Sequence, residues 1–381
     1  MLKNIERSLQ KAIKEDAEKK IILLSGPRQC GKTTLSKSLF KKTDYLNYDN
    51  VKDRILLKDQ SWSRDCDLVV FDELHKMKNW KSWIKGIYDK EGLNPRLLIT
   101  GSARLDIKKK MGDSLAGRHF QYRLYPFDLK EVKDVVPPKD ALTLFLEVGS
   151  FPEPFIEKSE KFYQKWKKGH LDLILRQDLL DLVYIKDISS IELLVELLKS
   201  RVGSTISYQS LAEDLQKDAS TVKRWLQMLE NLLIVFKVIP YSENIARSVL
   251  KEPKYYFYDV AQVEAGTAAR FENFVALTLL KEIHFQEDVN GIPGALHYLK
   301  IKGGKEVDFL VVQNKKPQMM IEVKESDFKP SNQFTVFPKF FKKIEMLQLV
   351  HRLDRKYDYP VGVKVRPFAE WAANIDFSRP V

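Results

Sequence analysis

The chain of 381 residues has two cysteines, Cys30 and Cys66, at no paired spacing. That scarcity excludes a disulfide framework and a zinc ribbon, and a reducing compartment is expected. No run of about 18 apolar residues occurs, which excludes a membrane-spanning helix of the usual kind. The opening stretch, MLKNIERSLQKAIKEDAEKK, is charged throughout and lacks the apolar core of a secretion signal. The expectation is a cytoplasmic protein with no membrane partner. Internal repeats and long low-complexity tracts are also missing, so neither a solenoid nor a disordered chain is expected. Acidic residues are outnumbered by basic ones, 52 against 64, leaving a net charge of +12. That excess favours polyanions, nucleic acid ahead of an anionic membrane surface. A generally lysine-rich protein would show the same balance.

What is present is a globular composition, 44% hydrophobic and 30% charged, long enough for two or three domains. Ile5, Leu9 and Ile13 mark one face of an opening helix. KIILLSG, DLVVFDE (67–73) and RLLITGSAR (96–104) read as buried strands separated by helical material. Strands apolar on both faces, alternating with helices, specify a parallel sheet in an α/β layer. QYRLYPFDLKEV (121–132) adds a strand, and VVPPKD (135–140) marks a boundary. Helical spacing dominates to about residue 200, interrupted by the turn GSFPEPF. A helix, turn, helix and two strands follow to about 262, with Ser220 or Thr221 capping the second helix. The last segment opens on ARFENFVALTLLKEI and continues in three strands, ALHYLKI, KEVDFLVVQ and QMMIEVKE.

Between the first strand and its helix stands GPRQCGKTT, Gly26 to Thr34, a complete phosphate-binding loop in its required frame. The residues Gly26, Pro27, Arg28, Gln29, Cys30, Gly31, Lys32, Thr33 and Thr34 would turn backbone N–H groups around a nucleotide phosphate. Lys32 supplies a point charge for the β- and γ-phosphates, Thr33 a hydroxyl for Mg²⁺, and the helix end its dipole. At the end of DLVVFDE, Asp72 is the expected partner of the Mg²⁺ and Glu73 the base or orienting group for the attacking water. Ser102 or Thr100, in ITGSAR, is the polar contact expected from the next strand. For the arginine that neutralises transition-state charge, Arg118 ranks ahead of Arg104. ATP is favoured over GTP because no guanine-specifying motif is evident.

GPRQCGKTTL, VVFDELHKMKNWKSWIKGIYD, ITGSARLD and SLAGRHFQYRLYPFDLKE, in this order, resemble the bacterial and archaeal AAA+ type P-loop ATPases that carry a C-terminal domain of uncertain function. GSFPEPF, the helix–turn–helix segment and ARFENFV…KEVDFLVV…IEVKE extend the resemblance over most of the chain. Cys30, Ser150 and Lys300 depart from the family pattern. The resemblance implies an ATPase core (1–135), a helical lid (136–200), a winged helix (201–265) and a restriction-endonuclease-like domain (266–381). AAA+ relatives place an arginine of one subunit at the nucleotide of the next, which implies a homo-oligomer.

Two further sites are expected. On STVKRWLQML, Lys223 and Arg224 lie off the buried stripe of Val222, Leu226, Leu229 and Leu233, free to meet DNA. Strand alternation sets Asp308 opposite Val307 and Phe309, and puts Glu322 and Lys324 on one face. With Glu272 on the preceding helix, they resemble the metal site of restriction-type nucleases, the acids holding Mg²⁺ and Lys324 acting on water. The expected function is an ATP- and Mg²⁺-dependent ATPase coupled to DNA binding or remodelling. The alternative is a nucleotide-gated switch acting on a protein partner, with a nuclease shape that does not cleave.

Overall fold

The computed structural model describes residues 5–101, 115–178, 187–242, 252–301, 304–341 and 343–378. They fall into two compact units, Asn4–Pro126 with Asn231–Leu233, and Phe127–Glu230 with Ile234–Val381. The division falls ahead of VVPPKD. Phe127 already belongs to the second unit: its N–H donates to Ser150 O at 2.8 Å and its ring packs edge-on against Phe155 at 5.8 Å.

The first unit is an α/β layer on a five-stranded sheet, β1 (Ile21–Ser25), β2 (Thr43–Asn47), β3 (Leu68–Asp72), β4 (Arg96–Thr100) and β5 (His119–Arg123). Strand order is β2-β3-β4-β1-β5, and every pairing is parallel. Every residue of β1 and β3 is buried, as uninterrupted apolar runs covered on both faces require. Helices α1 (Gln10–Ala17), α2 (Lys32–Ser38), α3 (Val51–Asp59) and α4 (Trp80–Glu91) cover the sheet. Trp62, Phe71 and Trp83 meet edge to face, with centroids 5.2 to 5.8 Å apart, and close the core on one side. The topology sends the turns after β1, β3 and β4 to one edge of the sheet, where α/β proteins bind ligands.

The second unit opens with helices α5 (Leu129–Val132), α6 (Pro138–Val148), α7 (Pro152–Glu157), α8 (Glu160–Leu173) and α9 (Ile188–Lys199). Proline stands at the start of α6 and α7, where its missing N–H costs nothing. Helices α10 (Tyr208–Leu215) and α11 (Ala219–Asn231) follow, then β6 (Val235–Pro240) and β7 (Lys254–Phe257), paired antiparallel. Helix α11 starts ahead of the Ser220 or Thr221 cap expected from sequence: Asp218 O accepts from Thr221 N and Val222 N at 2.9 and 3.1 Å. The long helix α12 (Thr267–Asn290) leads into β8 (Gly294–Lys300), β9 (Glu306–Gln313) and β10 (Lys316–Lys324). Helix α13 (Gln333–Val336), β11 (Glu345–Val350), β12 (Tyr357–Asp358), β13 (Val363–Pro367) and helix α14 (Phe368–Ala372) complete it. All its strands join one eight-stranded sheet, order β12-β13-β11-β10-β9-β8-β6-β7, through a parallel pairing of β6 with β8. Among the described residues, no helix is long and apolar enough to cross a membrane.

Candidate functional sites

The phosphate loop leaves β1 through Gly26, whose φ of +154° suits glycine. A Cβ there would stand 2.2 Å from Leu124 O, so the chain can pass β5 only without a side chain. Gln29 and Gly31 also take positive φ, 59° and 99°, and curl the loop into the start of α2. Arg7 holds it from behind, donating to Cys30 O at 2.9 Å and to Tyr125 O. Lys32 is buried and its ammonium donates to Gly26 O and Pro27 O at 2.9 and 2.7 Å. It thus spans the concavity a phosphate would enter. Thr33 and Thr34 are exposed at the helix start.

Asp72 closes the other side. Parallel register sets it beside Thr100 on β4 and Asn47 on β2. Its Oδ1 accepts from Thr100 Oγ1 and from Glu73 N, and its Oδ2 from Tyr45 OH and, at 3.5 Å, from Thr33 Oγ1. Thr100 therefore positions the carboxylate. Tyr45 does the same from β2; burial first, then the bond to Asp72, raises its phenol so that it stays a donor. Glu73 follows in the left-handed region at φ 55°, a strained setting for a non-glycine residue of the kind that gathers at functional sites. Its Oε2 lies 3.5 Å from His75 Nε2 and 3.9 Å from Lys76 Nζ. Lys76 is itself paired with Asp49 at 2.6 Å. Burial, then the neighbouring Asp72 charge, raises the Glu73 carboxyl above its ordinary value. A buried carboxyl so shifted is a better proton acceptor than a solvated one.

The structure thus brings Lys32, Thr33, Asp72 and Glu73 to one edge of the sheet. It does not bring Arg118 there. Its neighbour His119 pairs with Ile21, at the start of β1, while the loop follows the end of that strand. Four residue steps, about 13 Å, intervene, and Arg118 is engaged with Asp89 at 2.9 Å. Arg118 therefore does not face the phosphate loop of its own chain. Ser102 and Arg104 lie outside the described residues.

In the second unit, Lys223 and Arg224 are exposed on α11, and Trp225 joins Val222, Leu226 and Leu229 on the buried face. Strands β9 and β10 pair antiparallel with Ile321 opposite Phe309, which sets Asp308 beside Glu322. Asp308 accepts from Val323 N at 2.8 Å. Glu322 accepts from Lys324 Nζ at 2.8 Å through one oxygen, while its other oxygen is buried without a hydrogen bond. Glu272, on α12, accepts from Tyr256 OH at 2.7 Å. Gly203 approaches the same carboxylate so closely that a Cβ would lie 3.0 Å from its Oε2. Three residues that the sequence reading missed complete the cluster: Tyr256, Glu306 and Lys254, whose ammonium is 2.5 Å from Glu306 and 3.6 Å from Glu272. Burial raises the Glu272 and Glu322 carboxyls to about 7, the Asp308 charge adding to both.

Residues 18–133 match the model of a family described as an AAA domain. Residues 139–269 and 268–371 match two families described as domains of unknown function, DUF8612 and DUF4143. An uncharacterized protein of Mycobacterium tuberculosis is 28% identical over 243 residues, covering 63% of this chain and 54% of its own. The chain thus spans about half the length of that relative. An uncharacterized protein of Methanocaldococcus jannaschii is 23% identical, covering 98% of this chain and 94% of its own. Among solved structures, RuvB of Thermotoga maritima is similar at 14% identity and a TM-score of 0.31, over 65% of this chain and 94% of that one. Family match, loop and parallel sheet agree on an AAA-type P-loop ATPase domain in the first unit.

Proposed function

We propose that the chain binds and hydrolyses ATP with Mg²⁺ and uses the change to drive DNA binding or remodelling by its second unit. The observation that carries the reading is the convergence of Lys32, Thr33, Asp72 and Glu73 at one sheet edge. In this reading the Lys32 ammonium exchanges the carbonyls of Gly26 and Pro27 for phosphate oxygens. The loop N–H groups and the α2 N-terminus orient the triphosphate. Thr33 and Asp72 would hold a magnesium ion, which would supply positive charge against the phosphates. Glu73, raised by burial and by Asp72, takes the proton of the attacking water. The site then needs a cation opposite the leaving group. Arg118 could serve only at the nucleotide of a second copy, so a homo-oligomer belongs to the proposal.

For DNA, support comes from the net charge of +12, the α10–α11 pair followed by two antiparallel strands, and the exposed Lys223 and Arg224. We read this segment as a winged helix that meets phosphate backbone. Order α12, β8, β9, β10, α13, β11 supports a restriction-endonuclease-like shape used for binding. The test is the ATPase rate with and without duplex, branched and single-stranded DNA, at two salt concentrations. DNA stimulation suppressed by salt is expected, and Lys32→Ala should abolish turnover. Turnover that survives Lys32→Ala refutes the ATPase reading. Turnover indifferent to every DNA refutes the coupling and favours the switch acting on a protein partner.

A further inference from the structure

The nuclease resemblance asks Glu272, Asp308 and Glu322 to hold a divalent cation. The side chains present do not fit that demand. Among the described residues, no three His, Cys, Asp or Glu side chains converge closely enough to hold a metal ion. The carboxylates have partners instead. Tyr256 OH and Lys254 Nζ approach Glu272 Oε1, Val323 N donates to Asp308, and Lys324 Nζ bonds Glu322. Glu306 takes Lys254 at 2.5 Å and Lys300 at 3.6 Å. Glu322 Oε1 is buried without a hydrogen bond, but the cations already present, Lys254 on Glu272 and Lys324 on Glu322, supply the charge a metal would bring.

Lys254 is the unusual member. It is 2% exposed, at the first position of β7. Its backbone is fixed on both sides, by pairing with Val238 on β6 and by an antiparallel bridge to Thr205. Its ammonium lies 5.4 Å from the centre of the Tyr298 ring. A lysine so deeply buried persists only where carboxylates neutralise it, and here the half-buried Glu272 and Glu306 do so. A divalent ion entering between Glu272 and Glu306 would meet an ammonium already there, in a setting that screens like charges poorly.

We propose that Lys254 is the resident cation of this cluster: its ammonium already neutralises Glu272, one of the acids a divalent ion would need, so the cluster is closed to metal and fastens the β6–β7 pair to helix α12 and, through Glu306, to strand β9. The acids are then a structural joint that fixes the helix–turn–helix segment on the nuclease-shaped sheet. Gly203 belongs to the same joint, since any side chain there would press on the Glu272 carboxylate.

The test is a Mn²⁺ titration of the full chain without nucleotide, followed by the paramagnetic signal of free Mn²⁺, on wild type and Asp308→Ala. The expected isotherms coincide. A Mn²⁺ equivalent bound by wild type and lost in Asp308→Ala overturns the proposal. In addition, Lys254→Met should lower the melting temperature of the second unit by roughly 10 °C, and Glu306→Gln added to it should recover part of the loss. A Lys254→Met chain as stable as wild type refutes the fastening role. If that variant does not fold, the wild-type and Asp308→Ala isotherms still decide. Neither readout involves ATP, so failure here and failure of the ATPase reading are separate results.

Discussion

Asp259 offers a perturbation whose effect on stability can be worked from its surroundings. It is 3% exposed. Oδ2 accepts from Tyr163 OH at 3.0 Å and Gln262 Nε2 at 3.1 Å, while Oδ1 is buried with no hydrogen bond. Gly149 backs onto Oδ1, where a Cβ would stand 2.5 Å away. Burial lifts the carboxyl from 3.8 to about 6, against the opposing pull of its hydrogen bonds, those from Gln262 and Tyr163 foremost. The folded chain therefore binds this proton more tightly than the unfolded chain. Stability from the protonated form is complete below about pH 3.8 and is lost as pH rises through 6, by about 3 kcal/mol in all. Asp259→Asn keeps an oxygen for Tyr163 and Gln262 but cannot ionise. At pH 4 the variant and wild type should be nearly equal. At pH 8 the variant should be more stable, by a margin approaching that figure. The assay is calorimetric melting of the second unit at several pH values between 4 and 8, read as the difference between the two proteins. The difference isolates Asp259 from the other shifted carboxyls. A margin that is the same at pH 4 and pH 8 would refute the reasoning.

Two further outcomes are expected. Glu73→Gln should retain ATP, by equilibrium binding of a fluorescent analogue, and lose phosphate release by about 10²- to 10⁴-fold; a parallel loss of binding would mean that Glu73 holds the nucleotide instead. Lys223→Ala with Arg224→Ala should weaken duplex binding and reduce the slope of log affinity against log salt by about 2, with the melting temperature unchanged because both side chains are exposed. Unchanged binding removes α11 from the interface.

The first unit was largely legible because its determinants are local. Strands β1 and β3 are buried along their whole length, so continuous apolar runs announced them. The loop glycines and the DE pair stood at their ends. Strand β2 was not legible: of Thr43–Asn47 only Leu46 is buried, and such an edge strand carries no pattern. With it went Tyr45, one of the donors that hold Asp72. Arg118 is a different case, because its place depends on the direction of the strands. In a parallel sheet the residue before a strand lies at the edge away from the ligand-binding turns, so the order of elements alone would have placed it.

Lys254 shows where a sequence stops informing. Period-two alternation identified Asp308, Glu322 and Lys324, because a strand's two faces are written into adjacent residues. In PKYYFYD nothing distinguishes a lysine turned to solvent from one turned inward, and solvent is the usual outcome for that side chain. The choice depends on which acids meet it, and those come from Glu272 on α12 and Glu306 on β9. The same fact bears on the nuclease resemblance. A motif of acids and lysine specifies a shape and a charge, but a metal site also requires that no other cation be within reach. Here a lysine three strands from β9 supplies the charge. Whether the second unit holds DNA is then a question for the exposed face of α11, which the proposed joint would orient.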